Sequence, residues 1–269
     1  MECATPSDLN KIIFKKRLKM KQYRWLIIII LALPSLSLAG SFDNFNFGIG
    51  LEDYTWTEQA NLAIQPKERG NRLAIFIDYA NVKKDDYYFA YAGKIYGGTV
   101  DYDSCTLGTC SPTITSSDYI GMYNEVKLIA PTTYVNGIAS FGFDYWTRNI
   151  NNGLIQSLGI SSAGYTEQYN IFYAKLGANV KIGSKVNILL GIKQTLQNNE
   201  QIINSSLPAI HPGSSTSPYL EASYIVATDM ALGVYYDTYN FKGGNPNSLG
   251  YFQPASKMQA IGTKLTWLF

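Results

Sequence analysis

The chain has 269 residues, among them 21 Tyr, 12 Phe, 4 Trp and 23 Gly, with only 16% charged residues and a mean hydropathy of −0.07. This composition favours β-structure and is too weakly apolar for several membrane helices. The formal net charge of +2 depends on the first 39 residues: taking their seven Lys/Arg and two acids from 22 and 20 leaves 15 and 18, a net of −3. That balance gives no electrostatic motive for binding nucleic acid.

The first element in chain order is Lys21–Arg24 followed by WLIIIILALPSLSLAG. A basic start, an apolar run from Trp25 to Leu33, a break at Pro34 and Ser37-Leu38-Ala39 before Gly40 read as a secretory signal peptide. As a membrane anchor the run falls short of the roughly 20 apolar residues that a span needs. Cleavage is expected after Ala39, with residues 1–19 an extension upstream of Met20 and residues 40–269 a single domain.

From Gly40 onward the dominant signal has period two. Phe45, Phe47, Ile49 and Leu51 alternate with polar or small residues, as do Leu73, Ile75, Ile77 and Tyr79. The same pattern recurs in Val126/Leu128, Phe141/Phe143/Tyr145, Phe172 to Val180, Ile188/Leu190/Ile192, Leu220 to Val226 and Leu232/Val234/Tyr236. Helical spacing is nowhere sustained over such lengths, so the chain is all-β. Ten strands are expected over 44–56, 70–82, 86–98, 118–130, 135–148, 168–182, 186–197, 218–227, 230–241 and 256–269. Short turns alternate with long polar loops around 57–69, 99–117, 149–167, 198–217 and 242–255. An even strand number with short turns at one end and long loops at the other is the layout of an antiparallel outer-membrane β-barrel. A lipocalin-like or sandwich protein would show similar alternation. Strands of about 10–14 residues match a tilted span, for which 9–11 suffice, and the export signal favours the membrane.

The face opposite the apolar one carries Asp78, Lys94, Glu125, Asp144, Arg148, Lys175, Lys193, Glu221, Asp237 and Lys264. Charges of both signs in a narrow ten-strand lumen are expected to pair and fill it. A selective channel would show one dominant sign.

The chain closes on KLTWLF, with Trp267 and Phe269 on one face of the last strand. A final strand ending in an aromatic residue resembles the C-terminal signature of Gram-negative outer-membrane proteins. The resemblance implies recognition by the barrel-assembly machinery, with both rings facing lipid at the periplasmic interface. KIYGGTVDYDS, FDYWTRN and FQPASKMQAIGTKLTWLF resemble a family of small proteobacterial outer-membrane β-barrel proteins over most of residues 40–269. That resemblance specifies architecture more than activity, and implies outer-membrane lipid and lipopolysaccharide as surroundings.

Cys105 and Cys110, in CTLGTC within the second long loop, are expected to form a disulfide in an oxidising compartment. His211 is the only histidine, so no metal-ligand set or cofactor motif is evident. Asp101 and Asp103, read as lying just above the third strand, resemble the omptin proteases, whose second-loop Asp-x-Asp and fourth-loop Asp-x-His pairs activate a water. His211 lies in the fourth long loop, but Ala209 stands where the orienting Asp of that family belongs, which weakens general-base action. The sequence therefore reads as a non-enzymatic envelope or surface-binding barrel whose surface ligand it does not name. The alternatives are an omptin-like protease using Asp101, Asp103 and His211, or a low-conductance pore filtered by Glu125, Asp144, Arg148 and Lys175.

Overall fold

The computed structural model describes residues 44–59, 65–82, 86–105, 112–155, 160–203, 205 and 207–269. The expected signal peptide, its cleavage site, Cys110 and the side chain of Cys105 lie outside the described residues. The strands are β1 (Phe45–Glu58), β2 (Lys67–Ala80), β3 (Tyr88–Cys105), β4 (Pro112–Ala130), β5 (Val135–Ile150), β6 (Gly153–Ile155), β7 (Ile160–Ser162), β8 (Tyr165–Ile182), β9 (Val186–Ile202), β10 (Thr216–Ala227), β11 (Met230–Phe241) and β12 (Ser256–Leu268). Ten long strands pair with their neighbours in antiparallel register, β1 also pairs with β12 and β3 with β4, and the ring closes as a ten-stranded barrel. At the seam Phe269 N–H donates to Phe45 O at 3.0 Å and Asn44 N–H donates to Phe269 O at 3.2 Å.

Alternation sorts the side chains between two environments. Leu51, Leu73, Ile95, Ile120, Phe141, Leu176, Ile192, Leu220, Val234 and Ile261 are large apolar residues left exposed on the outer face of the ten strands. Such a continuous apolar belt suits hydrocarbon rather than water. Toward the long-loop end the outer face becomes polar, with Asp53, Asn71, Asp101, Asp118, Gln168, Gln201 and Lys257. The strands thus outrun the belt at that end. Trp267 lies against Phe47 on the outer face, ring centroids 6.0 Å apart, and Phe269 lies against Phe45 at 5.9 Å.

Three features depart from the sequence expectation. Several strands are longer at the long-loop end, so Asp101 and Asp103 lie within β3 rather than above it. The short β6–β7 hairpin adds to β4 through Thr113↔Ile155 and Ile114↔Leu154. In β9 the register with β8 shifts between Phe172↔Gln197 and Tyr173↔Thr195, leaving Leu196 as an extra residue. This bulge turns Asn198 and Glu200 into the lumen, where unbroken alternation would turn Gln197 and Asn199.

Interior glycines make room for tyrosine rings. A Cβ at Gly142 would lie 2.2 Å from Tyr173 Oη, and one at Gly262 would lie 2.3 Å from the Tyr235 ring. These rings cross the neighbouring strand because it lacks side chains there. The folded barrel is expected to migrate apart from its boiled form in gels, and Gly142→Val is expected to abolish that difference. Gly183→Ala, in an open turn with φ +61°, is expected to keep it at a cost of about 1 kcal/mol.

Candidate functional site

Among the described residues, the lumen is where the ten strands bring chemistry-bearing side chains together in number. It is organised in tiers. In the middle tier Glu52, Arg72 and Lys193 are fully buried. Arg72 donates to Glu52 Oε2 from Nη2 at 2.7 Å and from Nε at 3.1 Å, while Lys94 Nζ donates to Glu52 Oε1 at 2.9 Å. The Arg72 guanidinium carbon stands 3.9 Å from the Tyr54 ring centroid and 4.5 Å from that of Tyr96. Asp144 accepts from Tyr96 Oη at 2.9 Å and Tyr239 Oη at 3.0 Å. Lys193 Nζ donates to Asp237 at 2.6 Å and sits 3.4 Å from the Tyr239 ring centroid. Lys175 pairs with Glu125 at 2.7 Å. Each of these buried charges has an opposite charge or hydroxyl donors beside it, the condition for tolerating burial.

The long-loop tier is built differently. Trp56, Trp146, Tyr169, Tyr239 and Phe241 form one aromatic cluster, with Trp146 stacked on Tyr169 at 4.9 Å. Beside it Arg148 Nε donates to Glu167 Oε2 at 2.7 Å, and its other nitrogens lie 3.5 Å from Glu68 and 3.6 Å from Glu58. Ser117 Oγ and Tyr119 Oη also donate to Glu68. Glu200 is buried nearby, with Oε2 lacking a hydrogen-bond partner among the described residues. Three carboxylates therefore share one guanidinium, with a fourth carboxyl group buried beside them.

The lumen charges named from the sequence, Glu125, Asp144, Arg148, Lys175, Lys193, Glu221, Asp237 and Lys264, all sit on inward positions of their strands, with Glu221 and Lys264 paired at 2.6 Å. Asp101 and Asp103 instead sit on the outer face of β3, opposite Arg69 and Lys67 of β2. His211 is exposed between β9 and β10, its Nδ1 2.9 Å from Asn199 Oδ1. Asn199 belongs to β9, four strands from β3 in the ring of ten, so the structure does not gather the two groups. Sequence reasoning passed over Glu52, Arg72, Glu68 and Glu167 as lumen groups. Strand parity marks Glu52 beside outward Leu51 and Arg72 beside outward Leu73. For Glu200 parity misleads, because of the β9 bulge.

Glu200 and Glu167 lie beyond the apolar belt, where the outer face is polar. Burial, then the charge of Glu167, pushes the Glu200 carboxyl up to about 8. Burial also raises Glu167 despite the adjacent Arg148. The folded protein thus holds a proton on Glu200 that the unfolded chain releases near the ordinary glutamate value of 4.5. Its contribution to stability is complete at acid pH and is lost as pH rises through about 8. Unfolding midpoints of wild type and Glu200→Gln, followed between acid and alkaline pH, are expected to diverge, the variant gaining on wild type as pH rises. Removing Arg148 as Arg148→Met, by contrast, leaves Glu58, Glu68 and Glu167 without their shared cation and is expected to cost about 3–5 kcal/mol in the same measurement.

No protein-family model matches the chain, and no curated protein matches it in sequence. Among solved structures it is similar to the outer-membrane protease OmpT from Escherichia coli, at 12% identity over 87% of this chain and 99% of that one, with a TM-score of 0.51. It is also similar to the transport unit of the autotransporter AIDA-I from Escherichia coli, at 8% identity over 87% and 93%, with a TM-score of 0.47. A further match is the translocator domain of the autotransporter NalP from Neisseria meningitidis, at 11% identity over 94% and 96%, with a TM-score of 0.44. Identities this low speak to fold alone. On the first of these matches and its own closed ten-stranded ring, the chain has the fold of the bacterial outer-membrane β-barrels.

Proposed function

We propose that this protein resides in the outer membrane with its long loops outside the cell. There it acts as a non-enzymatic barrel with a sealed lumen, working through the surface that it presents. The observation that carries this reading is the filled interior: Arg72, Lys193, Tyr54, Trp56, Trp146, Tyr169 and Tyr239 are each at most 1% exposed and span the ring across two tiers. A pore needs a water path past such groups, and here paired charges and stacked rings occupy it. The secretory segment and the aromatic terminal strand support export and handling by the barrel-assembly machinery. The apolar belt and the polar collar above it suit membrane lipid and lipopolysaccharide as surroundings. Presentation is left to the long-loop end. There the loops before β10 and before β12 are tied by Gly213 N–H to Lys242 O at 2.9 Å and Asn247 Nδ2 to Pro208 O at 3.2 Å.

Cleavage by Asp101, Asp103 and His211 would require those groups in one cleft, and their strand positions disfavour it. The refolded barrel in a planar bilayer is expected to give no stepwise conductance, whereas Tyr96→Ala combined with Tyr239→Ala is expected to leak. Discrete channel steps from the unaltered protein would sink the sealed-lumen reading, and peptide hydrolysis lost in Asp101→Ala and His211→Ala would replace it with the protease.

A further inference from the structure

On the outer face, two carboxamides among the described residues stand between large exposed apolar residues of their own strand. Gln194 of β9 lies between Ile192 and Leu196, and Asn124 of β4 between Met122 and Val126. Their hydrogen bonding differs. Gln194 is engaged at both ends: Nε2 donates to Thr195 O at 3.0 Å, and Oε1 accepts from Thr216 Oγ1. Asn124 accepts at Oδ1 from Tyr91 Oη at 2.6 Å, but its Nδ2 has no acceptor among the described residues. In a membrane these N–H donors face hydrocarbon, where no water reaches them and an unmade hydrogen bond is costly.

The neighbours leave this amide open to approach. Its pairing partner on β3 is Gly93, which carries no side chain, and the Tyr91 ring folds over that glycine with Oη 2.9 Å from where a Cβ would stand. Its partner on β5 is Phe143, whose ring packs against Phe172 of β8, centroids 4.8 Å apart. Oδ1 keeps a second lone pair beside the two Nδ2 hydrogens, so the group is self-complementary. Facing an identical amide, each can donate one N–H and accept one. Copies of one barrel share one orientation in the membrane, so an isologous pair has its two-fold axis along the membrane normal and brings residues of equal depth together. We propose that two copies of this chain associate side by side in the membrane through the β3–β4 face, with Asn124 of one against Asn124 of the other. The Tyr91 hydroxyl holds Oδ1 and so sets the amide for that meeting. The pairing goes beyond the surface role; it rests on membrane residence and not on the sealed lumen.

The test is sedimentation equilibrium of the refolded full chain in density-matched detergent micelles. Flotation with phosphatidylcholine vesicles checks membrane residence, and unboiled gel mobility checks the fold of each variant. A reversible monomer–dimer equilibrium is expected. Asn124→Leu, which keeps the belt apolar, should weaken it by about tenfold or more through loss of the paired amide hydrogen bonds. In chains that also carry Cys3→Ser, Cys105→Ser and Cys110→Ser, oxidation should join two copies at Met122→Cys and not at Val234→Cys on the opposite wall. A monomer at every concentration overturns the proposal, as does equal dimerisation of the unaltered chain and Asn124→Leu. Cross-linking of Met122→Cys in intact cells to a different membrane protein overturns it too. A chain that does not float with the vesicles removes the membrane reading along with the pairing, a result distinct from a monomer that floats.

Discussion

The rest of this structure depends on the β1–β12 seam. Inside hydrocarbon an unpaired N–H or C=O costs several kcal/mol, so a spanning sheet must close on itself. Here thirteen paired positions join Asn46–Glu58 to Ser256–Leu268, and the backbone of Phe269 extends the seam by two more hydrogen bonds. Closure at ten strands also fixes the bore. A ring this narrow cannot hold a wide column of water, so inward side chains must meet across it and fill it. The tyrosine rings that cross Gly142 and Gly262 are one result. The crowding of opposite charges is another.

Filling a bore with charge is stable only where each charge finds partners. The middle tier meets that condition with near balance: Glu52 against Arg72 and Lys94, Asp237 against Lys193, Glu125 against Lys175. The aromatic faces beside Arg72 and Lys193 add attraction without adding charge. The long-loop tier departs from balance, since Arg148 alone faces Glu58, Glu68, Glu167 and Glu200, and burial there favours neutral carboxyl groups. Both tiers close the bore. They do so by different chemistry, one by ion pairing and one by stacked rings with an acidic surplus.

Much of the fold was legible because strands announce themselves by parity. Leu73, Ile75 and Ile77 could face only one way, and the turn at Gly183–Lys185 could hardly be anything else. Strand ends at the long-loop side were less legible. There the outer residues of β3, such as Asp101 and Asp103, turn polar and so read as loop. The three-residue strands β6 and β7 are too short to carry a period. The partners across the bore were hidden for a different reason. Arg148 meets Glu68 across 80 residues of sequence, and Tyr96 meets Asp144 across 48; only the closed ring brings them together. The placement of Asp101 and Asp103 away from His211 depends on that same ring and could not be read from their spacing.

The extra residue in β9 has a consequence for how such a barrel can change over generations. Leu196 is a spare beat in a two-beat pattern. Loss of that one codon would close the bulge, since Phe172↔Gln197 and Tyr173↔Thr195 would then be consecutive pairs, and Asn198 and Glu200 would keep facing the lumen. A one-residue deletion in a strand paired without such slack must instead open a new irregularity or turn over every residue beyond it. The strand therefore holds one place at which gene length can shrink without rewriting the interior.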